Sequence, residues 1–349
     1  MAERLRRVVA YDGEGKILVL REPVPEVLPN TVLVEVKSSL ISAGTELMNG
    51  VCGRRRKPDA TQPPRKFGYG NAGIVLAAGE GCEGIRPGMR LACMGGTALH
   101  ASHVVVPRNL TVPIPDGLGF DEAAFAHLAA TAVHAVRRGE VEFGQHAVVL
   151  GLGIVGQIAA QVARLAGAHV LAADRVAMRV NVARSCGIDL AVDSSGTDLV
   201  PCARAFSRGH GMDVAFIAFG GDATEAVKEI VRMLKTAPDT HPMGHIVIVG
   251  GATFTGQFPV PFGNVDIRAS SRPGPGYHDE AWELGRDYPP VFVPWTTRRN
   301  LEESLRFAAE GRLLLKPLIS HRLPLDEAPA GCEALIARPD EAIGVILHP

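Results

Sequence analysis

The most constraining feature of this chain is a strand, a glycine-rich turn and a helix in immediate succession. Ala147–Leu150 is a short apolar run and predicts a buried strand, and apolar residues recur at helical spacing after the turn. Between the two, Gly151, Gly153 and Gly156 form the pattern G-x-G-x-x-G. A segment with this order of elements folds as a βαβ unit of a parallel sheet.

Each glycine of this pattern has its own physical role in a dinucleotide site. The first permits a tight turn, the second lets the backbone approach a pyrophosphate, and the third lets the helix pack closely on the strand. The phosphates lie at the helix N-terminus, here Ile154 and Val155, where free N–H groups and the helix dipole favour anions. A second apolar strand ends at Asp174, where a carboxylate can accept hydrogen bonds from the adenosine ribose. The segment therefore predicts a nicotinamide or flavin dinucleotide site.

The residues at the end of the second strand bear on the choice of cofactor. The Asp174 carboxylate accepts from both ribose hydroxyls and repels a 2′-phosphate, which favours NAD. Arg175 follows directly, and an arginine there can pair with that phosphate. We expect NAD, with NADP as the alternative.

Composition excludes several classes of partner. The chain has 349 residues, enough for two domains, and 36 Lys and Arg balance 37 Asp and Glu to a net charge of −1. No basic tail or nucleic-acid signature accompanies this balance, so no nucleic-acid partner is expected. No apolar run is long enough to span a bilayer, and we expect a cytoplasmic protein without a membrane partner. The six cysteines are scattered, which excludes a disulfide scaffold and zinc-ribbon spacing.

The periodicity of the chain changes near residue 115. Before it, short apolar runs alternate with turns rich in proline and glycine, which predicts antiparallel β structure. After it, a helix is expected over residues 120–136, and alternating strands and helices then predict a doubly wound parallel sheet up to about residue 270. The tail, residues 318–349, has strand-like pieces around a short helix and is expected to return to the first domain.

This organisation resembles the medium-chain dehydrogenase/reductase superfamily, the relatives of zinc alcohol dehydrogenase. Local matches lie at residues 42–46, 67–75, 86–91, 130–134 and 318–325. The resemblance implies an α/β protein with a GroES-like β catalytic domain over residues 1–127 and 271–349, and a Rossmann coenzyme domain over residues 128–270. It also implies that Thr131 contacts nicotinamide and that Arg179 reaches the adenosine. Gly250 and Gly251 end a strand where the cofactor crevice of such a sheet is expected.

The departures from this family concern the zinc site. Zinc members carry C-G-[ST]-D where this chain has Ala43-Gly-Thr-Glu46, and they carry G-H-E where it has Gly68-Tyr-Gly70. The further ligand position aligns near His127, and the four-cysteine structural lobe is absent. One ligand cannot make the three that a catalytic zinc needs. The chain therefore resembles the zinc-less branch, including bacteriochlorophyllide dehydrogenases and sugar-linked bacterial oxidoreductases, and we expect no metal.

Without zinc, side chains must handle the proton and the oxyanion that accompany hydride transfer. Tyr69 replaces the lost histidine ligand and is our candidate donor to the substrate oxygen. Thr45 matches the relay residue of zinc members, and it or Glu46 is the candidate proton path, with His127 as a candidate shuttle. The alternatives are structural: Tyr69 fills the vacated zinc cavity, Glu46 makes a structural hydrogen bond, and His127 is a packed helix histidine.

The leading hypothesis is a zinc-independent NAD-linked oxidoreductase for a small-molecule secondary alcohol or ketone, of a sugar, cyclitol or other polyol. The alternatives are an NADPH-dependent quinone or enoyl reductase and a non-catalytic cofactor-binding protein. The resemblance also implies a homo-oligomer, a dimer or tetramer, formed through an edge strand of the coenzyme domain. We place that edge at residues 244–250, followed by residues 257–260.

Overall fold

The structure is a computed structural model that describes residues 5–257 and 262–349. It divides into two compact units. The β unit comprises Met1–Ala130, Pro273–Gly311 and Ile319–Pro349, and the Rossmann unit comprises Thr131–Arg272 and Arg312–Leu318. The sequence placed the boundaries after residues 127 and 270, and it gave no indication that Arg312–Leu318 joins the Rossmann unit.

The strands, in chain order, are β1 (Leu5–Tyr11), β2 (Ile17–Pro23), β3 (Thr31–Leu40), β4 (Arg65–Lys66), β5 (Gly70–Ala78), β6 (Arg90–Met94), β7 (His103–Pro107), β8 (Thr111–Pro113), β9 (His146–Leu150), β10 (His169–Asp174), β11 (Leu190–Asp193), β12 (Val214–Ile217), β13 (Gly221–Asp222), β14 (Lys235–Thr236), β15 (Pro242–Ile248), β16 (Ala252–Thr253), β17 (Asn264–Ala269), β18 (Ile319–Pro324) and β19 (Gly344–His348). The α-helices are α1 (Cys52–Arg56), α2 (Phe120–Ala123), α3 (Ala126–Arg138), α4 (Ile154–Leu165), α5 (Ala177–Ser185), α6 (Leu199–Phe206), α7 (Thr224–Met233), α8 (Glu280–Glu283), α9 (Thr297–Ala309) and α10 (Ala328–Ala337). A π-helix spans Ala43–Val51.

The Rossmann unit is built on a parallel sheet in the order β11-β10-β9-β12-β15, with β17 pairing β15 as a further parallel strand. The short β14 adds antiparallel pairing to β15. The central strands β9 and β12 are buried along nearly their whole length, because helices cover both faces of a doubly wound sheet. The predicted fold class is confirmed.

The predicted edge strand was wrong. Residues 244–248 lie in β15, which pairs with β12 on one side and with β17 on the other. Asn264–Ala269 adds a strand beyond β15, and the irregular sequence before it gave no sign of that return. Residues 258–260 of the predicted edge lie outside the described residues. The homo-oligomer stays a prediction, and β15 is not the edge through which it would form.

The β unit contains a larger sheet in the order β18-β19-β3-β5-β6-β8, with β7 also paired to β3. The β unit also contains a small sheet in the order β2-β1-β4. The tail returns as predicted, since β19 pairs with β3 at Ile346↔Leu40 and Leu347↔Ser39. This return places α10 and β19 in the same apolar core as β1 and the π-helix.

The helix predicted over residues 120–136 is two helices, α2 and α3, separated by a turn at Ala124 and Phe125. The turn buries the Phe125 side chain completely. It also places His127 in the first turn of α3. Across the described parts of the chain, every helix is too short or too polar to cross a lipid bilayer.

Candidate active site and coenzyme loop

The glycine loop of the Rossmann unit shows a different environment at each of its three glycines. Gly151 has φ +91°, in the region that favours glycine. A Cβ at Gly156 would lie 1.8 Å from the Gly151 carbonyl oxygen, so the helix can approach the turn this closely only with glycine there. A Cβ at Gly153 would meet no atom within 4 Å, which leaves the backbone open to a ligand.

The N-terminus of α4 is suited to an anion. The helix begins at Ile154 with Gly153 as its N-cap, and no side chain caps its first N–H groups. Uncapped N–H groups at the positive end of a helix dipole favour a phosphate. Ile154 itself is buried, while Val155 is partly exposed.

Asp174 ends β10 and binds the glycine loop through backbone groups. Its Oδ2 accepts from the Leu152 N–H at 2.6 Å, and its Oδ1 accepts from the Val176 N–H at 2.9 Å. The Arg179 Nη1 lies 3.7 Å from the same Oδ2, and Arg175 is exposed. The structure thus brings the predicted ribose-binding carboxylate, both arginines and the loop together at the carboxyl end of the sheet.

The remaining predicted cofactor residues lie elsewhere in the Rossmann unit. Gly250 follows β15, where a Cβ would be 2.4 Å from the Phe219 carbonyl oxygen, and the Gly251 carbonyl accepts from the Gly221 N–H at 3.1 Å. The two glycines therefore connect the segment that follows β15 with the segment that follows β12. Thr131, the first residue of this unit, is a partly buried residue of α3.

In the β unit, Tyr69 stands between two glycines that the packing requires. Gly68 has φ +121°, and a Cβ there would lie 2.2 Å from the backbone nitrogen of His100. A Cβ at Gly70 would lie 2.0 Å from the His127 Nδ1, so the imidazole occupies the space of a side chain at that position. The His127 and Tyr69 rings meet edge to face with centroids 4.7 Å apart. Glycine at position 70 and histidine at position 127 therefore fit each other.

The Tyr69 hydroxyl is held as a hydrogen-bond donor. It donates to the Ser42 Oγ at 2.6 Å. Burial raises the pKa of Tyr69 far above its ordinary value, and the Glu46 carboxylate adds to this shift, while hydrogen bonds with Ser42 and Thr45 oppose it. The phenol consequently stays protonated at neutral pH. Thr45, in contrast, is exposed.

Glu46 and His100 form a buried pair, and Glu46 lies near enough to the Tyr69 hydroxyl to act on its charge. Glu46 Oε2 accepts from the Ser42 N–H at 2.9 Å and lies 2.9 Å from the His100 Nε2, with side-chain exposures of 4% and 0%. The His100 Nδ1 contacts the Ser39 Oγ, which also donates to the Gly70 carbonyl at 3.2 Å. Glu46 Oε1 is buried and, among the described residues, has no hydrogen-bond partner.

Ser39 links this pair to the strand that follows Tyr69. Its hydroxyl lies within hydrogen-bond distance of both the Gly70 carbonyl and the His100 Nδ1, and with one proton it donates to one of them at a time. The contact between His100 Nε2 and Glu46 Oε2 continues this network, so three buried side chains depend on one another.

His127 is a neutral histidine in this structure. Its Nδ1 donates to the Ala124 carbonyl at 3.1 Å, and burial lowers the pKa of His127 to about 3. A side chain that titrates so far below neutrality is poorly matched to proton transfer near pH 7. This environment favours the packed helix histidine over the proton shuttle.

Three polar residues of the site were missed in the sequence. Ser42 has a weak signal, since it directly precedes the π-helix and lies four residues before Glu46. Ser39 and His100 have none, because they lie 61 residues apart and meet only when β3 and the segment after β6 come together.

The side chains present do not fit a catalytic zinc. Within residues 5–257 and 262–349, no three His, Cys, Asp or Glu side chains lie close enough together to hold a metal ion. Glu46 and His100 bind each other, and the His127 Nδ1 is used by the Ala124 carbonyl. A catalytic zinc needs three protein ligands and an open position.

Comparison with known proteins finds relatives along the whole chain. Residues 155–285 match the family model described as zinc-binding dehydrogenase. The (R,R)-butanediol dehydrogenase of Neisseria gonorrhoeae is 24% identical, over 98% of this chain and 99% of its own length. The L-threonine 3-dehydrogenase of Rhizobium etli is 26% identical, over 96% of each chain.

Solved structures show the same fold. A chain from Sinorhizobium meliloti, described as a zinc-binding dehydrogenase bound to NADP, is 23% identical and covers 99% of this chain, which in turn covers 100% of it, with a TM-score of 0.77. The galactitol-1-phosphate dehydrogenase of Escherichia coli is 19% identical, with 98% of this chain and 100% of that chain covered and a TM-score of 0.78. The likeness extends over both units.

Proposed function

We propose that this chain, which belongs by sequence and fold to the alcohol dehydrogenase-like medium-chain dehydrogenases, is a zinc-independent NAD(P)-linked oxidoreductase. It interconverts a secondary alcohol and the corresponding ketone. The observation that carries this proposal is the protonated Tyr69 hydroxyl, which stands at a former zinc-ligand position beside the buried Glu46–His100 pair.

The Rossmann unit supplies the cofactor site of the proposal. The uncapped start of α4 and the open face at Gly153 would hold the pyrophosphate, and the carboxylate of Asp174 would accept from the ribose. NAD or NADP, when bound, supplies or accepts the hydride. Asp174 favours NAD, whereas Arg175 and Arg179 provide the positive charge that the 2′-phosphate of NADP would need.

The β unit handles the proton. In the direction of reduction, the Tyr69 hydroxyl turns its proton from the Ser42 Oγ, its acceptor in the structure, to the substrate oxygen and stabilises the negative charge that develops there. An alkoxide is more basic than a phenolate, so the oxygen takes the proton from Tyr69. The exposed Thr45 and the Ser42 hydroxyl connect Tyr69 to solvent, from which the proton is replaced.

The Glu46 carboxylate helps Tyr69 to keep its proton. Burial is the main cause of the raised pKa of Tyr69 and the charge of Glu46 adds to it, so the phenol stays protonated until a more basic alkoxide develops on the substrate. The zinc of related enzymes would stabilise the oxyanion by its own charge, and here the hydrogen bond from Tyr69 takes that part.

A hydroxylated substrate suits this site. The buried Oε1 of Glu46 has no hydrogen-bond partner among the described residues, and a buried carboxylate oxygen without a donor is costly. A second hydroxyl of the substrate could donate to it. The relatives named for butanediol, sorbitol and galactitol 1-phosphate have polyol substrates by name, which supports the same class.

The experiment is a panel of turnover measurements with NAD(H) and NADP(H). Butane-2,3-diol and butan-2-ol test alcohol oxidation, and a quinone and an α,β-unsaturated ketone test the reductase alternative. We expect NAD(P)-linked oxidation of the alcohols. Reduction of the quinone or the enone without alcohol oxidation would contradict the proposal, and cofactor binding without turnover of any substrate would favour a non-catalytic protein.

A further inference from the structure

The loop of residues 273–278 in the β unit is held by buried polar side chains. The Thr297 Oγ1 donates to the Gly274 carbonyl at 2.9 Å, and the Asn300 Nδ2 donates to the Pro273 carbonyl at 2.7 Å. The Thr297 N–H also donates to the Pro275 carbonyl at 2.7 Å. Both side chains are completely buried in the first turn of α9. Buried polar groups used in this way fix a loop instead of leaving it mobile.

The next residue anchors the loop on a tryptophan. Gly276 has φ +108°, and a Cβ there would lie 2.5 Å from the ring of Trp282. Trp282 is completely buried, and its carbonyl accepts from the Asn109 Nδ2 at 2.7 Å. The close approach to the ring requires glycine, and it sets the direction in which the chain leaves towards residue 277.

We call Tyr69, Ser39, Ser42, Glu46 and His100 together the Tyr69 site. Tyr277, which follows Gly276, lies beside this site. Its Cε2 is 3.4 Å from the position of a Cβ on Gly95, and the Gly95 N–H donates to the Tyr69 carbonyl at 3.0 Å. Burial is the main cause of the raised pKa of Tyr69, and the Tyr277 phenol is among the groups that add to it. Tyr277 is partly exposed, whereas Trp282 is completely buried.

We propose that Tyr277 is a specificity-determining residue, whose hydroxyl binds a substrate hydroxyl next to the carbon that reacts. The inference rests on the proposed function and adds the group that recognises a polyol. A tyrosine suits this task because it combines a rigid apolar ring with one hydroxyl that can donate and accept. The buried contacts of Thr297, Asn300 and Trp282 fix the backbone that leads to Tyr277.

The test compares two alcohols that differ by one hydroxyl. For Tyr277→Phe we expect kcat/KM with butane-2,3-diol to fall about tenfold, mainly through KM, while kcat/KM with butan-2-ol stays within about twofold of wild type. Tyr288→Phe is the matched control. It removes another tyrosine hydroxyl of the β unit, one that donates to the Asp279 carboxylate at 2.6 Å. The control should leave the ratio of kcat/KM with butane-2,3-diol to kcat/KM with butan-2-ol unchanged.

Two results would overturn the inference while the proposed function stands. One is an unchanged ratio in Tyr277→Phe, and the other is an equal fall with both alcohols, which would indicate a structural role only. If wild type oxidises neither alcohol with NAD or NADP, the proposed function fails, and this inference fails with it.

Discussion

The glycine loop and the Tyr69 site differ in how far apart in the chain their parts lie. The loop is complete within about one βαβ unit. Its hydrogen bond between Leu152 and Asp174 joins residues only 22 positions apart in the sequence. The Tyr69 site collects residues from four separate segments, with Ser39 and His100 61 positions apart. A local site can be recognised from spacing, whereas a site of distant parts depends on the whole fold.

The two sites also use different hydrogen-bonding groups. In the loop, one carboxylate accepts from two backbone N–H groups, which any residue except proline can supply. In the Tyr69 site, buried side chains form hydrogen bonds with each other, so each substitution leaves a partner without its hydrogen bond. We therefore expect steric substitutions to break the loop and chemical substitutions to break the tyrosine site.

The largest effect is expected from Gly156→Ala. The new methyl would meet the Gly151 carbonyl oxygen at 1.8 Å, so the loop must move, and affinity for NAD(H) should fall by about 100-fold or more. Gly153→Ala should keep the melting temperature but weaken binding by roughly tenfold, because its methyl faces open space where the pyrophosphate approaches. Gly196→Ala, which also has open space, is the control for both in fluorescence titration and thermal unfolding. Normal binding by Gly153→Ala would refute the ligand role of that glycine.

Tyr69→Phe separates chemistry from packing in the β unit. It keeps the ring beside His127 but removes the donor to the substrate oxygen, so kcat should fall by roughly 100-fold with cofactor affinity unchanged. Steady-state rates and nucleotide titration measure the two effects. Near-normal turnover would mean that the phenol only fills the cavity.

The Glu46–His100 pair should contribute strongly to stability. Glu46→Gln disturbs the hydrogen bond between two side chains that are buried away from water. We expect the free energy of unfolding, measured with urea, to fall by about 2 kcal/mol. His100→Asn should cost a similar amount, and the double variant should cost clearly less than the two single losses together. Additive losses would show that the two side chains do not act as a pair.

The smallest substitution effect is expected in cofactor choice. Asp174→Asn removes the charge but keeps an acceptor for the Leu152 N–H, so the preference for NAD over NADP should narrow by about tenfold. Asp174→Ala should narrow it too and also weaken binding of both cofactors, since the loop loses its carboxylate. A wild-type preference for NADP of tenfold or more would show that Arg175 and Arg179 determine the choice.

The sequence predicted the fold class and the elements of the glycine loop because both depend on periodicity and on short spacings. It did not predict that β17 would cover β15, because the segment before β17 has no regular pattern. It identified Tyr69 and Glu46 from positions in the resemblance, but it did not reveal what they bind. Ser39 and His100 were missed because a buried histidine and a serine at opposite ends of a long segment have no local signature.

His127 shows why a role cannot be transferred from a position alone. The sequence offered a proton shuttle and a packed histidine as alternatives, and the difference between them is set by burial and by the contact with Gly70. The missing side chain at Gly70 explains why an imidazole fits there at all. The two positions can be understood only as a pair, which no single motif displays.

In the proposed mechanism, Tyr69 and not a metal ion stabilises the substrate oxygen. The most direct test measures zinc by elemental analysis of the purified protein, together with turnover before and after treatment with a chelator. We predict no stoichiometric zinc and unchanged turnover, because positions 43 and 69 are alanine and tyrosine and Glu46 binds His100. About one tightly bound zinc per chain, with turnover lost on its removal and restored on its return, would contradict the claim.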